Sequence, residues 1–435
     1  MPRVHPHLCW KTGNDISLLE NGVQLFPALC AAFDAATTSI HVEMYIFRLD
    51  LAGKQLIHHL SLAAQRGLKV RVLIDGYGSA AEDEAIARML HDAGAHCRVY
   101  RPEPKRFTLK SFDFMRLRRL HRKIVVVDAT VGFVGGINIE DDYSSADPAV
   151  RTTDPRYDYA VRVVGPVVSD LVEALDLLWL RTRHWRQTPL KNLRSRLRYF
   201  KRHRVSSYIV SASPSTSPST SSSLSLSAFP SATSSPVFSS TTANVRAAFI
   251  LRDNLRYRRT IERAYLFYIA SAKTEIIIAN AYFLPGGKLR HALIDAAKRG
   301  VRVRLLLQGK IEYQMQYHAT RWIYDLFLRE NIEIYEYLPS FLHAKVAVID
   351  GVSIVGSSNL DPFSLLLARE ANALIDDAGF TAQLRQSLEK ALTQGSRIVE
   401  LTLYGHRPFL GRIADGLCYL LLRIGVTLSG KSNQY

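Results

Sequence analysis

Two separated stretches of the chain carry the same alternation of apolar and polar positions. From Thr37 to Gly76 it reads TTSIHVEMYIFRLDLAGKQLIHHLSLAAQRGLKVRVLIDG, and from Lys273 to Gly309 it reads KTEIIIANAYFLPGGKLRHALIDAAKRGVRVRLLLQG. Each opens on an apolar run rich in β-branched residues, which predicts a strand. A loop follows, then apolar positions at the spacing of an amphipathic helix, then a second apolar strand. Each helix stops at a glycine directly after an arginine, Gly67 or Gly300, the expected C-cap. Strands alternating with helices predict an α/β fold with a mixed or largely parallel sheet. The recurrence predicts two pseudo-symmetric lobes, each a mixed β-sheet flanked by helices.

Between the two copies the pattern disappears. Residues 205–243 are dominated by Ser, Thr and Pro, a composition that buries too little apolar surface to offset chain entropy and predicts a flexible linker. The expected organisation is a first lobe over 1–204, the linker, a second lobe over 244–400 and a C-terminal segment over 401–435. The first lobe ends in a basic stretch, Arg181 to Arg204, that reads either as a solvated helical face or as a surface for anionic headgroups. The segment from Arg407 to Gly430 is apolar but broken by Arg412, Asp415 and Arg423. It is a poor spanning segment; it suits an amphipathic helix lying in a membrane surface, or one packed on the second lobe.

Composition narrows the class. Hydrophobic residues at 47% indicate globular domains, and 56 Lys+Arg against 39 Asp+Glu leave a formal charge of +17. That surplus points to an anionic partner: nucleic acid, an acidic membrane or a phosphorylated substrate. The four cysteines, Cys9, Cys30, Cys97 and Cys418, are scattered, so neither a disulfide framework nor a zinc site is expected and a reducing compartment is. The N-terminus lacks the apolar core of a secretory signal, and no stretch reaches the roughly 18 apolar residues of a spanning helix. A cytoplasmic protein is expected.

Candidate chemistry is duplicated as well. LHRKIVVVD begins at Leu120 and LHAKVAVID at Leu342. His121 and Lys123, like His343 and Lys345, are two apart on a strand and share a face. Asp128 and Asp350 close the two motifs. A small pair follows each, Gly135-Gly136 and Gly356-Ser357, and then an asparagine, Asn138 and Asn359. Small residues let a ligand approach the backbone, Lys and Asn offer donors to phosphate oxygens, and an imidazole serves nucleophilic or acid–base work. Gly136, Ser357, Asn138 and Asn359 are therefore candidate phosphate-binding positions. A single His-x-Lys is usually a surface pair; two complete copies point to a site.

H-x-K-x4-D followed by G-[GST]-x-N, twice in one chain, resembles the phospholipase D superfamily. ERAYLFYIASAKTEIIIANAYFLPG, HRKIVVVDATVGFVGGINIE, DYAVRVVGPVV and GSSNLDPFSLLLAREANALI are similar to bacterial cardiolipin synthases of the B-type subfamily, a resemblance covering about Asn14 to Leu392. Two departures stand out: a long Ser/Thr linker, and a turn after Asp350 one residue shorter than that after Asp128, which suggests a tight Asp-Gly hairpin.

The resemblance implies one active site at the lobe interface, with His121, Lys123, Asp128, His343, Lys345 and Asp350 as catalytic residues. For Asp128 and Asp350, bonding to backbone at the hairpin is at least as strong a reading. The resemblance also implies Asp158 and Glu370 as carboxylates that orient the histidines; Glu140 and Asp361, which follow soon after the asparagines, are weaker supporting candidates. One histidine would attack phosphorus and the other protonate the leaving alkoxide. Related enzymes suggest His121 as nucleophile, and near-symmetry leaves the reverse open. No metal or other cofactor is implied.

The implied reaction transfers a phosphatidyl group from one phosphatidylglycerol to another, giving cardiolipin and glycerol. Its alternatives are a hydrolytic phospholipase D giving phosphatidic acid, a phosphodiesterase or nuclease, and a non-catalytic basic scaffold. The expected partners are phosphatidylglycerol and an anionic membrane surface, without nucleic acid. The expected location is the cytoplasmic face of the bacterial cell membrane, as a peripheral protein. Oligomeric state is not legible in the sequence.

Overall fold

The computed structural model describes residues 8–103, 118–144, 151–183, 244–253, 257–405 and 407–426. The Ser/Thr/Pro-rich linker and the basic stretch beyond Arg183 lie outside the described residues.

The first half contributes β1 (Lys11–Glu20), β2 (Ser39–Met44), β3 (Lys69–Asp75), β4 (His96–Tyr100), β5 (Lys123–Val127), β6 (Val131–Gly135) and β7 (Tyr159–Val164). The second contributes β8 (Val245–Arg252), β9 (Glu275–Asn280), β10 (Arg302–Gln308), β11 (Glu333–Tyr337), β12 (Lys345–Ile349), β13 (Val352–Gly356), β14 (Glu370–Asp376) and the short β15 (Ser396–Ile398). Together they form one fifteen-stranded sheet in the order β15-β11-β10-β9-β12-β13-β14-β8-β1-β7-β6-β5-β2-β3-β4. Apart from β15 the order reads the same from either edge once each strand is replaced by its counterpart. In each half three strands run parallel, β2-β3-β4 and β9-β10-β11, and the rest pair antiparallel. The fold is therefore mixed α/β and internally duplicated.

The parallel strands follow from the crossover helices. Leu51–Gln65 buries Leu56, Ile57 and Leu60, and Gly287–Lys298 buries Leu289, Leu293 and Ile294. Both helices end as expected. Gly67 and Gly300 sit at φ +88° and +86°, where a Cβ would be strained. The residue after each glycine donates back into the last helical turn: Leu68 N to Ala63 O, and Val301 N to Ala296 O. Each lobe packs its own apolar core, around Ile40, Val72 and Leu56 in the first and Ile278, Leu305 and Leu293 in the second.

The lobes join through the antiparallel pair β1–β8, whose register shifts between Lys11 and Asn14. Fully buried Asn14 fills that irregularity. Its amide donates to Lys11 O and Val245 O, and its oxygen accepts from Val167 N, so the backbone groups freed by the bulge keep partners. None of the four cysteines is paired. Among the described residues no helix is long and apolar enough to cross a membrane.

Candidate active site

The two motif segments are built alike. Just before the histidine, Leu120 N donates to Asp75 at the end of β3 (2.8 Å), and Leu342 N donates to Gln308 at the end of β10 (2.8 Å). The next peptide crosses to the other lobe. His121 N donates to Arg369 O (3.0 Å) and His343 N to Tyr157 O (2.8 Å), in short parallel bridges between Leu120 and Arg369 and between Tyr157 and Leu342. Arg369 and Tyr157 immediately precede Glu370 and Asp158. The pairing therefore sets each carboxylate beside the histidine of the opposite lobe.

That juxtaposition is realised in side chains. Nδ1 of His121 lies 3.0 and 3.1 Å from the two oxygens of fully buried Glu370, and Nδ1 of His343 lies 2.7 Å from Asp158 Oδ2. A carboxylate partner fixes a neutral imidazole as the Nδ1–H tautomer and leaves the Nε2 lone pair free. Lys123 Nζ donates to His121 O (2.9 Å), and Lys345 Nζ donates to His343 O and lies 3.6 Å from Asp158.

The site crowds cations into a dry place. Burial and the charge of Lys345 bring Lys123 down to about 7, and burial brings Lys345 down to about 8. Burial likewise disfavours protonated His121, partly offset by Glu370, and drives His343 well below its usual value with help from Lys345, Arg156, Lys123 and His121. Asp158 is pushed up to about 6 by burial, against the pull of Lys345. An anion entering beside the lysines would relieve their repulsion.

The position of the two motif aspartates corrects their reading as catalytic residues. Asp128 and Asp350 stand at the far ends of β5 and β12, beyond four strand residues from each lysine. Asp128 accepts from Thr37, Thr38 and Ser39 backbone N–H at 2.8 Å each, plus both threonine hydroxyls, and Asp350 accepts from Lys273, Thr274 and Glu275. Partial burial alone would raise Asp128, but these donors hold its carboxyl well below the usual range. Both residues have positive φ, +51° and +49°, and Asp350-Gly351 is the two-residue hairpin that the shorter turn suggested. They brace the start of β2 and β9.

The small pairs lie against the carboxylates. A Cβ on Gly136 would come within 2.3 Å of the Asp158 carboxylate. In the second lobe Ser357 Oγ donates to Glu370 Oε2 (2.5 Å). These two positions make room for Asp158 and bond to Glu370, respectively. Asn138 and Asn359 are buried, and the side-chain oxygen of each has no hydrogen-bond partner among the described residues. Asn138 Nδ2 donates to Glu140, and Asp361 caps the helix Pro362–Leu366 through Ser364 N.

Four further residues border the site. Tyr45 packs on His121 with ring centroids 4.6 Å apart, and Lys123 Nζ lies 5.1 Å from the Tyr45 ring. Tyr282 meets His343 edge-on at 6.5 Å and donates to Glu312, whose other oxygen pairs with Arg156 at 3.0 Å. Tyr45 directly follows β2 and Tyr282 lies two residues past β9, at the carboxyl ends of parallel strands where α/β sheets present ligand contacts. That placement was the available signal. Among the described residues no group of three or more His, Cys, Asp or Glu side chains is arranged to hold a metal ion.

Comparison with known proteins agrees with this architecture. A family model described as "Cardiolipin synthase, PLD-like domain" matches residues 29–153 and again 265–392. Cardiolipin synthase B of Salmonella typhi is 37% identical over 418 residues, covering 95% of this chain and 89% of its own. Its counterpart from Escherichia coli K12 is 35% identical over the same shares. Among solved structures, phosphatidylserine synthase from Haemophilus influenzae superposes with a TM-score of 0.63 at 14% identity, covering 96% and 95% of the two chains, a likeness of fold. With both halves matched by one domain model and nearly the whole length aligned to curated relatives, the chain belongs to the cardiolipin synthase family of phospholipase D-like enzymes.

Proposed function

We propose that the chain is a phosphatidyltransferase that makes cardiolipin and glycerol from two molecules of phosphatidylglycerol through a phosphohistidine. The observation that carries the mechanism is the crossed pair of imidazole–carboxylate contacts, His121 with Glu370 and His343 with Asp158. With each Nδ1 engaged, each Nε2 is free to act on phosphorus or on an alcohol proton.

In the first step one Nε2 attacks phosphorus. The bond to the glycerol oxygen breaks, and that oxygen takes a proton from the second imidazole. In the next step the second imidazole takes a proton from a hydroxyl of the incoming phosphatidylglycerol. The freed oxygen attacks phosphorus and the phosphorus–nitrogen bond breaks. Lys123 and Lys345, with Asn138 and Asn359, would hold charge on the equatorial oxygens of the transition state. Related enzymes suggest His121 as the first to attack. Burial disfavours the protonated form of both imidazoles, and the near-symmetry of the site leaves the reverse order open.

The protein would act as a peripheral protein on the cytoplasmic face of the bacterial cell membrane, in keeping with its charge of +17 and its bacterial relatives. The test is product analysis from phosphatidylglycerol vesicles. Cardiolipin with released glycerol supports the proposal, and phosphatidic acid alone replaces it with a hydrolase. His121→Ala and His343→Ala each lower turnover by about 10³-fold or more. Phosphoryl label retained on His343→Ala protein assigns attack to His121, and label retained on His121→Ala protein assigns it to His343.

A further inference from the structure

The helix Phe409–Val426 is tied down along one side only. Its single acid, Asp415, is buried and accepts from His318 (2.7 Å) and from Arg407. Tyr419 OH accepts from Arg290 (3.0 Å), and Trp322 packs on Tyr419 at 6.4 Å. The opposite side carries Leu410, Ile413, Leu417, Leu420, Leu421 and Ile424, exposed between 44% and 78%. At about 100° per residue these six fall on one stripe of the helix. No described residue covers it. An apolar stripe this long is unusual on a water-facing surface.

Charge identifies the occupant. The only carboxylate of the helix is turned inward, whereas Arg412 and Arg423, near its two ends, are exposed. A surface that offers leucines and arginines but no acid complements an anionic bilayer: apolar side chains enter the acyl boundary and guanidinium groups remain among the phosphates. The position also fits. The inner side packs on the helix Gln314–Trp322, and the residue before that helix, Tyr313, has its ring 5.8 Å from Tyr282, which touches His343. Ile311, Tyr313 and Met315, around the start of that helix, are exposed as well.

We propose that Phe409–Val426 is the membrane-docking helix, lying in the plane of an anionic lipid surface with its leucine stripe inserted, and that the Gln314–Trp322 helix beneath it sets the His343 side of the active site next to that surface. The inference rests on the lipid-substrate reading, and its test separates the two. Full-length protein is mixed with vesicles of phosphatidylglycerol and phosphatidylcholine and sedimented. Activity is followed in parallel on short-chain phosphatidylglycerol below its micellar concentration.

For Leu417→Asp combined with Leu421→Asp, vesicle partition falls by about tenfold or more, while melting temperature, oligomeric state and turnover of dispersed lipid stay unchanged. Arg412→Glu weakens binding to anionic vesicles and leaves binding to pure phosphatidylcholine as it was. Three outcomes overturn the proposal. Unchanged vesicle binding in both variants means that the helix does not dock. A lower melting temperature for the leucine variant means that the chain itself covers the stripe. Conversion of a dimer to a monomer means that a second copy does. Absence of cardiolipin from the wild-type protein on dispersed lipid would count against the phosphatidyl-transfer reading, whatever the vesicles show.

Discussion

At the scale of single residues, the site is a set of ionisable groups displaced from their usual states by burial and by one another. Lys123 at about 7 and Lys345 at about 8 must be charged to hold a phosphate, and each loses its proton as pH rises through its value. The rate at low phosphatidylglycerol, kcat/KM, is therefore expected to fall above pH ~7, where Lys123 begins to lose its proton. At saturating lipid the alkaline limb moves to higher pH, because bound phosphate favours the protonated lysines. Matched pH–rate profiles at the two lipid levels check this; superimposable limbs would show that the lysines do not titrate in the free enzyme. The histidines and lysines were legible in the sequence because they share a motif at fixed spacing. Arg156, Glu312, Tyr45 and Tyr282 were not, since they arrive from loops whose approach depends on how the sheet is assembled.

At the scale of elements, the two hairpins β5–β6 and β12–β13 are where sequence reasoning and structure part. Asp128 and Asp350 belong to the motif by spacing, yet their carboxylates gather the backbone that enters β2 and β9. A one-dimensional pattern records neighbours along the chain and not which end of a strand faces the substrate. The helix ends at Gly67 and Gly300 could be read, because a left-handed C-cap is a local requirement. Asp128→Asn is accordingly expected to keep kcat within a few-fold while losing about 1–2 kcal/mol of stability. The sign with pH follows from the lowered carboxyl value. The native state binds this proton less readily than the unfolded chain, so the contribution is present at neutral pH and lost as acid titrates the folded carboxylate. Denaturant melts of wild type and variant should therefore converge toward low pH; a large fall in kcat with no loss of stability would restore a catalytic role to the aspartate.

At the scale of the whole molecule, the continuous sheet means that neither lobe carries a complete site. Residues 1–204 alone would leave His121 without Glu370, and residues 244–435 alone would leave His343 without Asp158. Each half expressed separately is expected to be inactive and the two together active. A chain cut once between 205 and 243 should keep its activity, because β1–β8 and the two cross-lobe bridges hold the halves without the linker. Turnover from an isolated half would contradict this, and so would its loss on a single cut. The crossing of the carboxylates also has a genetic corollary. Damage to an imidazole's setting in one half is best compensated in the other, so suppressors of a weakened Asp158 variant should map around His343, and those of a weakened Glu370 variant around His121. Such a gene, though built by duplication, is no longer free to let its two copies drift apart.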